Sequence, residues 1–215
     1  MTIHNSEFFD NFGQVLNKYP GIDIQDLFSK GQIESKRWLV NELEKINMEL
    51  GTVFICAGWY GSLATFLFES DVKLDKIRSF DIDKSCAGIA ETFNRLKTMD
   101  GWKFKASTID IVDMDYPTAY TTYRANGTSL DLLEMPDTII NTSCEHIANF
   151  IEWYNKIPNG TLVVLQSNNY FEIKEHVNCV NNINEFIKIA PMSTLLYNGE
   201  LELEKYTRFM LIGYK

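Results

Sequence analysis

Residues 51–70 read GTVFICAGWYGSLATFLFES, and the character of the chain changes there. Thr52 to Cys56 is a short run rich in β-branched and aromatic side chains that ends in small residues and glycine. From Ser62 the apolar residues return at helical intervals. A strand, a Gly-x-x-Gly turn and a helix in that order predict the first half of a βαβ unit. Gly58 and Gly61 allow close backbone approach and positive φ at the turn, and the helix from Ser62 aims its amide dipoles at the same place. Whether the turn is purely structural or one end of a ligand site depends on the residues downstream of it.

The same alternation continues along the chain. KIRSFDID (76–83) reads as a second strand and KSCAGIAETFNRLK (84–97) as a helix with Ile89, Phe93 and Leu96 on one face. WKFKASTID (102–110) is a third strand, PDTIIN (136–141) a fourth, and SCEHIANFIEWYNKI (143–157) a helix. GTLVVLQ (160–166), introduced by the turn PNG, is a fifth strand, and FEIKEHVNCVNNINEFIKIA (171–190) is a helix that contains His176. The tail MSTLLYNGELELEKYTRFMLIGYK (192–215) reads as two strands around NGELELEK. Upstream, SEFFDNFGQVL (6–16) carries Phe8, Phe9, Phe12 and Leu16 as a helical stripe interrupted by Gly13. After the turn YPG, residues 23–50 carry Ile33, Leu39, Leu43 and Ile46 at mostly helical intervals. Residues 1–50 are therefore expected to form an N-terminal helical cap and 51–215 an α/β domain with a mostly parallel sheet, closed by an antiparallel hairpin. The long, polar, tyrosine-rich connection from Ile111 to Pro136 is either a lid or binding segment, or a short helix with irregular flanks.

The bulk composition agrees with a folded domain of ordinary size: 215 residues, 45% apolar and 23% charged. Cys56, Cys86, Cys144 and Cys179 are widely spaced with no CxxC pair, so free thiols are expected. His4 lies in the terminal segment and carries no signal. Apolar runs are too short to span a bilayer and the N-terminus has no signal-peptide pattern, so a cytoplasmic location is expected and no membrane partner. A net charge of −9 disfavours a broad electrostatic grip on nucleic acid.

An acid closes the second strand. Asp81 comes 23 residues after Gly58, near the offset of about 20 at which a carboxylate meets ribose hydroxyls. Asp83 sits at the helix start, where a cap is its ordinary role. Asp110, at the end of the third strand, is either an acceptor for an adenine amino group or a solvated loop acid.

The glycine turn AGWYG, FDID after strand two, an acid after strand three, IPNGTLVVL before strand five and the terminal hairpin together resemble the class I S-adenosylmethionine (AdoMet)-dependent methyltransferase family. The resemblance covers the chain from about Thr52 onward and implies a Rossmann-like seven-stranded sheet of order 3-2-1-4-5-7-6 with the last strand antiparallel. It implies AdoMet contacts from Gly58, Trp59, Tyr60, Gly61, Asp81, Ile82, Asp110, Ile111 and Asn141. The turn departs from the family's fuller glycine-rich form: Cys56 stands where an acid is often found, and Trp59 and Tyr60 fill the loop. The segment before strand one often crosses the AdoMet pocket in this family. Gln32, Ser35, Lys36 and Leu39 share a helix face there, which places Lys36 to pair with the methionine carboxylate and Gln32 to hydrogen-bond it, while Arg37 reads as solvated.

By the same resemblance the end of strand four faces the methyl group and the acceptor. Asn141 is then placed to orient the acceptor, His146 to take a proton from it, and Glu145 to orient His146 or neutralise a cationic substrate. Structural roles stand beside these: Ser143 as an N-cap, Glu145 favourable at a helix start, Cys144 as a small buried group or a partial thiolate. Asn168, Asn169 and Tyr170, beyond strand five, are expected to line the acceptor pocket. Amides at the positions where catechol-type O-methyltransferases hold Mg²⁺ imply no metal. NTSC keeps only the asparagine of the amino-methyltransferase motif Asn-Pro-Pro-aromatic, so a platform for a flipped base is missing. The leading expectation is methyl transfer to oxygen or nitrogen of a small polar acceptor. The alternatives are a tRNA or DNA methyltransferase, for which Lys97, Lys103 and Lys105 are either a thin basic groove or a solvated edge, and a non-catalytic AdoMet-binding protein.

Overall fold

The computed structural model describes residues 6–124 and 126–215, with side chains from Phe9 onward; His4 and the side chain of Phe8 lie outside the described residues. The chain divides into two compact units, Met1–Thr108 and Ile109–Lys215. The first holds α1 (Ser6–Lys18), α2 (Lys30–Ile46), β1 (Thr52–Cys56), α3 (Ser62–Phe68), β2 (Lys76–Asp81), α4 (Cys86–Phe93), α5 (Arg95–Met99) and β3 (Phe104–Thr108). The second holds β4 (Thr118–Tyr123), β5 (Ser129–Glu134), β6 (Thr138–Asn141), α6 (Phe150–Lys156), β7 (Leu162–Asn168), α7 (Ile183–Ile189), β8 (Thr194–Glu202) and β9 (Thr207–Tyr214). The main sheet has the order β3-β2-β1-β6-β7-β9-β8. Counting only its own strands along the chain, this is 3-2-1-4-5-7-6 with the last strand antiparallel, as the sequence implies.

In the first unit β2 runs parallel to both β1 and β3, and the strands read as nearly continuous buried runs because helices cover such a sheet. Phe54 and Phe80 meet edge-on at 5.0 Å within this core. Val15 of α1, Leu27, and Ile89 and Phe93 of α4 form a second apolar cluster on which Trp59 and Tyr60 pack. The helix expected over 84–97 is split at Asn94. Its side-chain amide donates to the Gly61 and Ala90 carbonyls (both 3.0 Å) and its oxygen accepts from Thr65 Oγ1 (3.0 Å). Leu96, expected on the buried face with Ile89 and Phe93, is exposed beyond this break.

The second unit corrects four expectations. The 111–136 connection is not a short helix: after a 3₁₀ turn at Ile111–Asp113 it forms the antiparallel β4–β5 hairpin, where Tyr120 and Thr122 alternate with exposed Thr121 and Tyr123. The helix expected from Ser143 starts at Phe150. Cys144–His146 is a 3₁₀ turn; the Ser143 side chain makes no cap bond, and its backbone N–H donates to Asn141 Oδ1 at 2.8 Å. The helix expected over 171–190 forms only at Ile183–Ile189, capped by Asn182, which accepts from the Glu185 N–H at 3.0 Å. Residues 171–182 spend their donors elsewhere: Asn178 N–H on the Glu145 carbonyl (2.9 Å) and Val180 N–H on the Asn168 carbonyl (3.1 Å). In the terminal hairpin β8 continues through Asn198 and Gly199, and the chain reverses between Leu203 and Tyr206.

Two glycines separate turn geometry from helix propensity. A Cβ on Gly58 would fall onto Ser79 Oγ, whereas one on Gly13, inside α1, meets nothing within 4 Å. Gly58→Ala should destabilise by about 1–3 kcal/mol through overpacking. Gly13→Ala should stabilise by about 0.5–1 kcal/mol. Urea unfolding midpoints of the two variants check both signs.

Candidate functional site

The turn after β1 is held in an unusual conformation. Ala57, Trp59 and Gly61 have φ of 56°, 48° and 76°. Only glycine takes this region freely, so Ala57 and Trp59 cost about 1–2 kcal/mol each. Tertiary bonds offset this: the Gly58 N–H reaches the Phe80 carbonyl (3.0 Å) and the Trp59 N–H reaches Asp81 Oδ2 (2.8 Å). Asp81 Oδ1 accepts the Asp83 N–H at 3.0 Å. The expected turn and the expected acid are thus joined directly. Asp83 accepts from the Ser85 N–H and hydroxyl, which pulls its pKa below the usual carboxylate value. Burial, with Asp81 and Asp83 nearby, pushes the Cys86 thiol up to about 12. Ile82 is 67% exposed, a large apolar side chain at the strand end. Trp59 and Tyr60 stack on each other at 4.6 Å.

On α2, the Lys36 ammonium bonds Gln32 Oε1 and Ser35 Oγ bonds the Gln32 carbonyl at 3.1 Å, so the three expected residues form one group. Lys36 is only 6% exposed, while Arg37 is solvated as expected. A groove of about 430 Å³ in this unit, lined by Phe9, Leu27, Phe28, Ile33, Phe66 and Phe93, contains none of the expected AdoMet residues. The basic stripe does not form. Lys105 is buried against Glu91 (2.7 Å), Lys103 pairs with Asp100 (2.8 Å), and Lys97 lies over the Phe68 ring.

In the second unit Asp110 accepts the Val112 N–H (3.0 Å) and so caps the 3₁₀ turn, and Ile111 is buried. Asn141 is fully buried; its Nδ2 has no hydrogen-bond partner among the described residues. Cys144 is buried with Sγ on the Asn141 carbonyl, the small apolar role. Glu145, 2% exposed, is the centre of a polar network. Its Oε1 accepts from Asn168 Nδ2 (2.6 Å) and from Arg208 Nη2 (3.3 Å), and Arg208 Nη1 reaches the Thr142 carbonyl (2.8 Å). The Asn168 oxygen accepts the Tyr170 N–H (2.9 Å), and Asn169 is committed to the Thr207 N–H (2.8 Å). Tyr170 stacks on Tyr206 at 5.1 Å.

His146 keeps an exposed edge but meets His176 edge-on at 4.6 Å, and His176 Nδ1 lies 2.8 Å from the Tyr170 carbonyl. Crowding by the protein lowers the His146 pKa; the Glu145 charge opposes the fall, and His176 and Arg208 add to it. His176, expected inside a helix, stands in the irregular segment instead.

No family model and no curated protein matches the sequence. Solved structures do match in shape. Magnesium protoporphyrin IX methyltransferase from Synechocystis PCC 6803, with bound SAH, aligns over 98% of this chain and 95% of its own, at 13% identity and a TM-score of 0.57. N-methyltransferase NodS from Bradyrhizobium japonicum WM9, with S-adenosyl-L-homocysteine, aligns over 94% and 98%, at 10% identity and 0.59. The small RNA methyltransferase HEN1 aligns over 90% of this chain and 27% of its own, at 17% identity and 0.60. The chain has the class I methyltransferase fold.

Within that methyltransferase fold, sequence reasoning missed Arg208 and His176. Arg208 carried a usable signal: a lone ionised residue in an otherwise apolar final strand must find a buried partner. Removing that partner should be costly. Arg208→Met leaves the Glu145 charge buried and should lower stability by about 3–5 kcal/mol, and Glu145→Leu added to it should recover most of the loss. A double-mutant cycle of urea unfolding checks this; a double variant as unstable as the single would refute it.

Proposed function

We propose that the chain is an AdoMet-dependent methyltransferase that modifies oxygen or nitrogen of a small polar acceptor. The observation that carries this reading is Asp81, fixed at the end of β2 by the Trp59 amide of the glycine turn, in a sheet of class I methyltransferase order. The residues present suit the group. A carboxylate has about four acceptor sites, and the two backbone bonds leave others for ribose hydroxyls. Ile82 offers an exposed apolar face for a base, and Lys36 with Gln32 a cation and an amide for an amino-acid carboxylate. The fold's relatives named above include structures with the demethylated product bound.

AdoMet, when bound, supplies a methyl carbon already activated by its sulfonium. The chain's own residues then have to hold, orient and dry the site. Asn141 and the 3₁₀ turn that carries Glu145 and His146 form the acceptor end, with Tyr170 as an aromatic wall. Cys144 is buried against the backbone and takes no covalent part. A small acceptor is favoured over nucleic acid by the net charge of −9 and by the engagement of Lys97, Lys103 and Lys105 within the protein. Among the described residues no helix is long and apolar enough to cross a membrane.

AdoMet at a hundred times its dissociation constant should stabilise the protein by about 2.7 kcal/mol. Asp81→Asn should weaken AdoMet binding about tenfold or more, through loss of charged hydrogen bonds. Calorimetry on the parent and variant checks this, and unchanged affinity in a folded Asp81→Asn would remove the ribose assignment. His146→Ala should lower transfer of labelled methyl to a metabolite pool while sparing AdoMet affinity. Full turnover in that variant would remove His146 from the acceptor end, and AdoMet binding with no transfer to metabolites, RNA or DNA would favour a non-catalytic binder.

A further inference from the structure

The polar cluster of the second unit has the composition of a metal centre. Glu145, His146 and His176 each offer one ligand atom, and these atoms all lie within 4.8 Å of one another. Ligands sharing one ion at about 2.1 Å stand roughly 3–4 Å apart, so small side-chain rotations would close the set.

We propose that Glu145, His146 and His176 bind a divalent first-row transition ion. Three features of the geometry support this. First, His176 Nδ1 faces the Tyr170 carbonyl at 2.8 Å, so that nitrogen carries the proton and Nε2 keeps its lone pair. A histidine that donates one ring N–H to a carbonyl and presents the other nitrogen has the orientation that outer-shell partners give to metal ligands. Second, Glu145 Oε1 is fixed by Asn168 and Arg208, yet Oε2 is buried with no hydrogen-bond partner among the described residues. A buried carboxylate oxygen left unpaired is costly, and a cation would satisfy it. Third, the cluster is held in place. β6 and β7 are parallel neighbours, so the 3₁₀ turn and the 171–182 segment follow the same carboxyl ends of the two strands. Asn178 ties that segment to the turn through the Glu145 and Cys144 carbonyls (2.9 and 3.2 Å).

Arg208 sets the selectivity. Its guanidinium offsets the Glu145 charge, so imidazole nitrogens rather than net charge supply the affinity. Two imidazoles and one carboxylate favour Zn²⁺, Co²⁺ or Mn²⁺ over Mg²⁺ and Ca²⁺. Three protein ligands leave coordination positions open, and the exposed edge of His146 gives access to them. An oxygen of the methyl acceptor is the class of group that would fill one, which makes His146 a ligand rather than a base. That last role rests on the function proposed above; the binding of the ion does not.

The test uses the full chain without a histidine tag, stripped with a chelator and titrated with Co²⁺ in the absence of AdoMet. One equivalent should bind with a visible d–d band, Zn²⁺ should displace it, and Mg²⁺ should not compete. His176→Ala and Glu145→Gln should each weaken binding by about tenfold or more. In the parent chain, which has three histidines, Co²⁺ should shift the ring resonances of two of them, a readout that needs no variant to fold. No binding, or binding unchanged in folded His146→Ala and His176→Ala, overturns the proposal. Cobalt binding without AdoMet binding would sink the methyltransferase reading alone, and the converse would sink this site alone.

Discussion

A carboxylate at the end of β2 holds the turn after β1 in a conformation that its own sequence disfavours, and the first unit is arranged around that bond. Two non-glycine residues of the turn sit in the left-handed region, at about 1–2 kcal/mol each. One hydrogen bond to a charged acceptor returns about 1.5–3 kcal/mol. The turn is therefore near balance, and its shape is dictated by Asp81, by the Asn94 amide on the Gly61 carbonyl, and by the absence of a side chain where Gly58 meets Ser79. The stacked Trp59 and Tyr60 extend the constraint outward, because they pack on the cluster built by the helices before β1 and after β2.

Asp81 in the first unit and Glu145 in the second both stand at or beyond the end of a parallel strand, and environment separates their roles. Asp81 is half-buried, accepts two backbone N–H groups, and retains acceptor capacity toward hydroxyls. Glu145 is buried, loses one oxygen to Asn168 and Arg208, and keeps one oxygen with no donor among the described residues. Bonding of the first kind suits neutral ligands with donors. Bonding of the second kind suits a cation, which restores interaction that burial removed.

The strands were legible because parallel strands covered on both faces are short, continuous and apolar, and the glycine turn and Asp81 were legible because their spacing is local. Helix ends were not. Asn94 looks like an ordinary helical residue until its amide finds the Gly61 carbonyl, and Ser143 looks like a cap although its side chain makes no cap bond. The β4–β5 hairpin alternates in burial, but its polar threonines on the covered side hide the period. The Glu145–Arg208 pair joins residues 63 positions apart, so no pattern within either segment announces it. The expectation that no metal binds rests on amides at Asn141, Asn168 and Asn169, with Glu145 as the nearby anion and His176 assigned to a helix.

That misassigned helix explains why the cluster exists. A helix over 171–182 would spend each N–H on the carbonyl four residues back and turn its side chains outward around the axis. The asparagines at 178, 181 and 182 weaken that outcome, since their short amides compete for backbone groups. With the helix gone, the Asn178 and Val180 N–H groups are free to bond the Glu145 and Asn168 carbonyls, and the segment lies along the strand ends. Only in that path does His176 come edge-on to His146 with a carbonyl behind it. A segment that gives up its own hydrogen bonds to fix its neighbours is held by the site it completes, so its order and the integrity of the Glu145 network rise and fall together.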